Sequence, residues 1–342
     1  MPTKIEDVAK SAGVSTATVS RVLSGKPYVS EELRARVLSA AQELDYRPSR
    51  VARSLREQRS RIIGLIISDI QNPFFTAIVR AVEDGAYANG HAVFLCNTDE
   101  DEAKETLYID LMLAEHVAGV IVSSTTGRNP AYNHLVQAGI PAVAIDRRVY
   151  NVPLDTVLVD NIDATRRAVE QLIAEGHRRI GAIVGHLTSS TGEERLRGYT
   201  DALMAHDIPV SDALIRIGTP RSPVGYAAMT ELLALRDPPT AVFTGNNLLT
   251  AGALRALFDA GRRVPEDVAV AAFDDMEWAV FIQPALTMVA QPTYEIGRIA
   301  VELLQKRIAD PRRPLEEVIL QARVIARHTP RQVLPTASTD GD

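Results

Sequence analysis

The stretch Ile5-Glu6-Asp7-Val8-Ala9-Lys10-Ser11-Ala12-Gly13-Val14-Ser15-Thr16-Ala17-Thr18-Val19-Ser20-Arg21-Val22-Leu23 decides how the chain is read. Ile5, Val8, Ala9 and Ala12 share one face of a 3.6-residue period, and Val14, Val19, Val22 and Leu23 supply a second apolar face, so the spacing predicts two short helices. Gly13 can take the positive φ that ends the first, and Ser15 or Thr16 can cap the second by accepting from its free backbone N–H groups. This is a helix-turn-helix pattern. Opposite its apolar face the second helix carries Thr16, Thr18, Ser20 and Arg21. That surface suits a DNA major groove, where an arginine holds a guanine edge or a phosphate and short hydroxyls hold backbone oxygens.

Working outward, Ser30 with Glu31 and Glu32 gives a capped start to a third helix over 31–44, with Leu33, Val37, Leu38, Ala41 and Leu44 expected inward. Residues 1–47 then form an all-α headpiece. The linker, 48–60, is itself patterned: Pro48 can open a helix, and Val51, Ala52 and Leu55 follow at helical spacing among Arg50, Arg53 and Arg56. A helix of one or two turns is not stable alone in water, so this one is expected to form only against a partner and DNA.

Charge follows the same division. The whole chain is at -6, yet residues 1–60 hold 11 Lys/Arg against 7 Asp/Glu, which places the basic charge where a polyanion would need it. The single cysteine, Cys96, excludes an internal disulfide and sits in an apolar run, where it reads as a buried structural thiol. No apolar run is long enough to cross a membrane, and Met1-Pro2-Thr3-Lys4 lacks a signal-peptide core, so a cytoplasmic protein with no membrane partner is expected.

From residue 61 to about 330 the texture becomes alternating strands and helices. Strands are expected at 62–68, 91–96, 119–123, 141–145, 156–159, 179–184, 241–244 and 268–273, with a last one at 318–323. Helices are expected at 74–89, 103–115, 163–175, 193–206, 222–235, 248–260 and 294–308. Strands this continuously apolar are buried on both faces, which points to parallel sheets clothed by helices. The pattern occurs twice, giving two doubly wound lobes, one about 61–160 plus 291–325 and the other about 161–290. Three crossings leave a small-molecule cleft between the carboxyl ends of the strands. Residues 331–342 read as a polar, disordered tail without a heptad extension, so a coiled-coil tetramer is not expected.

Several motifs carry a resemblance. They are the helix-turn-helix itself, Pro27-Tyr28-Val29-Ser30, Leu44-Asp45-Tyr46-Arg47-Pro48-Ser49-Arg50-Val51-Ala52-Arg53-Ser54-Leu55, Asp69-Ile70-Gln71-Asn72-Pro73-Phe74-Phe75, Ile145-Asp146-Arg147, Arg195-Leu196-Arg197-Gly198-Tyr199 and Phe273-Asp274-Asp275. With them the chain resembles the lactose/galactose repressor (LacI/GalR) family of bacterial transcriptional regulators over nearly its whole length. The resemblance implies a homodimer on a pseudo-palindromic operator in double-stranded DNA. Thr16, Ala17 and Arg21 would enter the major groove, Thr3, Ser15, Thr18, Ser20, Ser30, Ser49, Arg50 and Ala52 would complete the DNA contact, and Leu55 would wedge into the minor groove.

The core then resembles sugar-binding proteins, and implies a sugar-like effector that sets operator affinity in the manner of an inducer or a corepressor. Carboxylates, arginine, amides and an aromatic face are what a sugar's hydroxyls and C–H surface require. Asp146, Asn246 and Asp274 lie at strand ends, Arg195 at a helix start, Phe74 at another, and Trp278 in the loop past Asp274; Arg195 and Asp274 are the leading contacts, with Asn246 or Asn247 next. Where the family usually has Asn-Asp, this chain has Asn246-Asn247, which implies an effector other than that of a galactoside- or purine-responsive member. A catalytic alternative has little support: there is no phosphate-binding glycine loop, no His-Glu-x-x-His, no Gly-x-Ser-x-Gly, and the seven histidines lack metal spacing, so neither enzyme activity, metal nor cofactor is expected.

Overall fold

The computed structural model describes residues 3–23, 29–46, 60–150, 152–276 and 286–326. Ser49, Arg50, Ala52, Leu55, Trp278 and the tail lie outside the described residues. Contacts divide the chain into two units, Met1–Ser60 and Arg61–Asp342.

The first unit holds helices α1 (Ile5–Ala12), α2 (Thr16–Leu23) and α3 (Glu31–Glu43). Gly13 adopts φ 65° and sends its N–H back to the carbonyls of Ala9 and Lys10, as its place after the first apolar stripe requires. Ser15, not Thr16, caps α2: its Oγ accepts from the Thr18 N–H at 3.2 Å. The Arg36 guanidinium reaches across from α3 to the last carbonyl of α1, Ala12 O, at 2.6 Å, a cation placed at a helix C-terminus. Val8, Val19 and Val37 are fully buried at the centre. Leu38, expected inward, is 48% exposed. The inward stripe of α3 runs 37, 40, 41, 44, which puts Leu38 about 100° round the helix from it.

The second unit has two six-stranded sheets. The strands in chain order are β1 (Ile62–Ile67), β2 (Ala92–Asn97), β3 (Gly119–Val122), β4 (Ala142–Ile145), β5 (Asp155–Val159), β6 (Ile180–Val184), β7 (Ile215–Ile217), β8 (Ala241–Thr244), β9 (Ala269–Phe273), β10 (Thr287–Ala290), β11 (Glu317–Leu320) and β12 (Arg323–Ile325). The helices are α4 (Pro73–Ala88), α5 (Glu102–Ala114), α6 (Ala131–Gln137), α7 (Asn161–Ala174), α8 (Ser190–Ala205), α9 (Ser222–Leu233), α10 (Asn247–Asp259) and α11 (Thr293–Ala309). Sheet one runs β11-β5-β4-β3-β1-β2 and sheet two β12-β10-β9-β8-β6-β7. Strands β3, β4, β5, β6, β8 and β9 have no exposed residue, as helices on both faces require.

The single last strand expected at 318–323 is two strands in different sheets. β11 pairs parallel with β5, and after two residues β12 pairs antiparallel with β10. β11 runs toward the cleft, so a chain that crosses there enters sheet two from its carboxyl edge and must run away from it. This makes sheet two mostly, not wholly, parallel. The crossings fall at 160, 291–292 and 321–322. The first and third are laced together: Asp160 Oδ1 accepts from the Ala322 N–H at 2.7 Å, and Arg167 Nη2 donates to Ala322 O at 2.9 Å. Arg148, beyond β4, donates its N–H to Ser190 Oγ and its Nη1 to Glu317, tying lobe one to the start of α8.

Close approach of α9 and α10 explains two glycines inside helices. A Cβ on Gly252 would sit 2.0 Å from Ser222 O, and one on Gly225 2.3 Å from Leu249 O, so only glycine fits either place. Cys96 is buried as expected, and burial pushes its thiol up to about 11.

Candidate functional site

In the helix-turn-helix unit, Ser15, Thr16, Ala17 and Arg21 are exposed together at the turn and along one side of α2, whereas Thr18 and Ser20 are half-buried. The Ser15 and Thr18 hydroxyls are 2.9 Å apart, so each can turn its remaining proton or lone pair outward. Ser30 is exposed and caps α3 through Leu33 N–H. Thr3 is half-buried with its hydroxyl donated to Leu44 O at 3.0 Å, which fixes the chain end to the base of α3.

The cleft in the second unit is built at the carboxyl ends of both sheets, and both place it at a switch point: β1 has β2 on one side and β3 on the other, and β6 has β7 and β8. Asp69 and Asn72 follow β1, Glu100 β2, Thr125 β3, Asp146 and Arg147 β4, Gly185 and His186 β6, Asn246 β8, Asp274 β9 and Gln291 β10. They enclose a cavity of about 110 Å³.

Asp146 and Asp274 occupy corresponding positions, each the residue after a central strand and each at positive φ, 63° and 72°. Aspartate tolerates this left-handed region better than most residues, and the sharp turn carries each carboxylate to the cavity wall. Asp146 accepts from Ser123 Oγ at 3.3 Å and lies 3.5 Å from Arg147 Nε. Arg147 grips Glu100 with two hydrogen bonds of 2.7 and 2.6 Å, leaving its buried Nε, beside Asp146, without a hydrogen-bond partner. The pair is therefore buried. Across the cleft, Asp274 accepts from Gln291 Nε2 at 2.6 Å and from Asn247 N–H at 3.4 Å.

Arg195 lies in the second turn of α8, since that helix starts at Ser190, three residues earlier than expected. Its Nε donates to Asn161 Oδ1 at 2.9 Å and its Nη1 to Gly245 O at 2.6 Å, while its guanidinium carbon stands 3.8 Å above the Phe273 ring centroid. Asn246 caps α10 with Oδ1 accepting from Leu249 N–H at 2.8 Å, and its Nδ2 donates to Pro220 O at 3.4 Å, leaving the second amide proton for the cavity it lines. Phe74 serves twice, with core and cavity contacts, and meets Phe75 edge-on at 5.0 Å between centroids.

Burial pushes both carboxyls up. For Asp146 it is opposed by Arg147 and Arg195 and reinforced by Asp274; for Asp274 it is opposed chiefly by Arg195. Burial draws Arg195 down against Asp274 and Asp146, yet a guanidinium starts so far above neutrality that it stays charged. Below the wall, the fully buried Glu105 accepts from Thr125 N–H, Tyr132 OH and Asn129 Nδ2. It holds the loop after β3 in place, and burial pushes its carboxyl up as well.

Asn247 departs from expectation. It does not line the cavity; its Nδ2 donates to Asn72 Oδ1 in the opposite lobe at 2.8 Å. The inference about effector identity drawn from it therefore falls. Conversely Asn72, Phe75, Glu100, Arg147 and Gln291 line the cavity without having been singled out. The Asp69-to-Phe75 motif held Asn72 and Phe75 in plain view, but Gln291 follows β10, a four-residue strand too short to stand out as an apolar run.

The arrangement presents carboxylates, guanidinium and amide groups around a small space with an aromatic wall. Hydroxyl groups, which both donate and accept, satisfy such a lining better than any group of one sign. Among the described residues no cluster of His, Cys, Asp and Glu could hold a metal ion, and no helix is long and apolar enough to cross a membrane.

Comparison with known proteins agrees over most of the chain. Residues 4–49 match the family model described as bacterial regulatory proteins, lacI family. Residues 60–328 match that described as periplasmic binding proteins and sugar binding domain of LacI family. The chain is 36% identical over 327 residues to the transcriptional repressor PurR of Pectobacterium atrosepticum, covering 95% of this chain and 96% of that one. It is 35% identical over 308 residues to the ribose operon repressor of Escherichia coli K12, covering 90% and 93%. The crystal structure of the lac repressor dimer bound to operator and the anti-inducer ONPF superposes with a TM-score of 0.81 at 28% identity, covering 95% of this chain and 98% of that one. A helix-turn-helix unit followed by a two-lobed core with a polar interlobe cavity, matched over both units, places this chain in the lacI family of bacterial regulatory proteins, which are DNA-binding regulators and not enzymes.

Proposed function

We propose that the chain is a transcriptional repressor that binds a pseudo-palindromic operator as a homodimer and whose operator affinity is set by a small, neutral, polyhydroxylated effector, a monosaccharide, in the interlobe cavity. The observation that carries the effector class is the lining of a cavity of about 110 Å³ by two buried carboxylates, Asp146 beside Arg147 and Asp274 in the other lobe, together with the Arg195 guanidinium. The Arg147 guanidinium is already neutralised by Glu100, and that of Arg195, held by neutral acceptors, is offset by the Asp274 and Asp146 carboxylates, so a neutral ligand leaves no charge in the cavity uncompensated. Ionised carboxylates accept from hydroxyls, the Asn246 amide donates to them, and Phe74 and Phe75 cover the C–H face. Because one relative is named a ribose operon repressor, D-ribose is the first probe. Acting on the chromosome, the protein works in the cytoplasm.

On the DNA side Thr16, Ala17 and Arg21 face the major groove, with Ser15, Thr18, Ser20 and Ser30 around the phosphates, while the Thr3 hydroxyl is spent on Leu44 O and leaves that residue only its backbone for DNA. The hinge residues Ser49, Arg50, Ala52 and Leu55 join them at the operator centre. The test is an operator titration at several salt concentrations. Arg21→Ala should either lower the salt slope by about one phosphate contact or cost about 1–3 kcal/mol at one base position. Binding that ignores both salt and this substitution contradicts the reading.

Effector affinity should also depend on pH. Burial holds Asp146 and Asp274 above the ordinary value of 3.8, so both begin to protonate before an exposed aspartate would. Sugar hydroxyls lose their acceptors as this happens, and affinity falls on acidification with a midpoint that belongs to the pair. On folding the sign is opposite: the contribution of these two groups to stability is fully present below the unfolded value and is lost as pH rises through the raised folded values. Calorimetric titration with the sugar across the acid range checks this; affinity that holds constant until the ordinary carboxylate range is reached contradicts it.

A further inference from the structure

We propose that Asn247 is a positioning residue that joins the two lobes through Asn72 and sets the Asn72 amide at the cavity wall; this rests on the cavity being the effector site. Asn72 sits at the start of α4 and its Oδ1 accepts two hydrogen bonds of 2.8 Å, from Phe74 N–H in its own lobe and from Asn247 Nδ2 in the other. With that oxygen fully used, Nδ2 is what the Asn72 side chain offers to the cavity it lines. The backbone N–H of Asn247 lies 3.4 Å from Asp274 Oδ2, so one buried residue touches a cavity group of each lobe without lining the cavity itself.

The amide is specifically required. Asn247 Oδ1 is buried and has no hydrogen-bond partner, so what the position uses is the donor. A flipped amide, or an aspartate, would set an acceptor against the Asn72 acceptor and undo the bridge. Two other lobe-to-lobe contacts, Arg221 Nη2 on Asp99 O at 2.9 Å and the Arg148 N–H on Ser190 Oγ at 3.0 Å, make no hydrogen bond to the Asn72 amide. Asn247 therefore reports lobe closure to Asn72, and through its cap to Phe74, independently of what the effector is.

The test is amide hydrogen exchange on the full-length protein without ligand, read at Phe74, with D-ribose binding measured alongside. Asn247→Asp should speed exchange at Phe74 by about tenfold, the loss of one buried hydrogen bond, while the β8 and β9 amides keep their protection and show that the fold is intact. After correction for intrinsic rates, lowering the pH should restore protection in Asn247→Asp, because the introduced carboxyl, once protonated, regains a donor beside Asn72 and Asp274; wild type should show no such return. Asn72→Asp retains both accepted bonds but loses Nδ2, so it should protect Phe74 like wild type and weaken D-ribose binding several-fold. Exchange at Phe74 in Asn247→Asp that matches wild type, or protection that pH leaves unchanged, overturns the proposal. Failure of wild type to bind D-ribose counts against the sugar probe alone, since the exchange result decides the bridge without it.

Discussion

Arg195→Ala is expected to abolish the effector response and to destabilise the core by about 3 kcal/mol, the lower end for removing one member of a buried charge group. Arg195 is 7% exposed, and its cation is the charge that chiefly offsets the burial of Asp274. Its loss leaves Asn161 Oδ1 and Gly245 O without their donor and Phe273 without its covering cation. The cost stays at the lower end because burial has already raised both aspartates, which can take up protons when the cation goes. Arg195→Lys should keep much of the stability and still lose affinity, because an ammonium cannot reach both acceptors while stacking on the ring. Thermal denaturation and calorimetry of the two variants separate these effects; a fully stable Arg195→Ala protein that binds the sugar normally contradicts the assignment.

Asp274→Asn should behave differently. Loss of a charged acceptor is expected to weaken effector binding by about 2–3 kcal/mol, whereas stability should move by no more than about 1 kcal/mol. The carboxylate is costly to bury, and an asparagine oxygen can still accept from Gln291 or Asn247, with Asp146 remaining near Arg195. The same substitution should flatten the acid limb of the affinity profile. A variant that binds as wild type does, or one that loses stability in proportion to affinity, removes Asp274 from the effector site.

Why some of this was legible in the sequence and some was not follows from range. The headpiece is governed by local signals: Gly13 at the break, Ser15 and Ser30 at caps, and valines at helical spacing. Even there Leu38 misled, since an apolar residue next to the stripe looks like part of it until the phase is set by Val37 and Ala41. Long buried strands such as β1 and β9 were plain as apolar runs. The three-residue β7 and β12 were not, because an edge strand shows half of its surface and needs no continuous apolar run. In the cleft, Asp146 and Asp274 stood out as candidates by their place just past apolar strands, while the weight given to Arg195 and Asp274 came from the family resemblance. Arg147, Gln291 and the role of Asn247 depended on pairings across 47, 17 and 175 residues, which no local pattern carries.

The central claim is that a small molecule in the cleft and DNA on the helix-turn-helix unit compete for, or share, one conformational equilibrium. Linkage makes that testable in a single closed cycle: operator affinity with and without saturating sugar, and sugar affinity with and without operator, at one salt concentration. The account predicts the same factor on both sides, below one for an inducer and above one for a corepressor, and a factor of one in Arg195→Ala. A sugar that binds the cleft tightly in wild type while leaving operator affinity unchanged would contradict it.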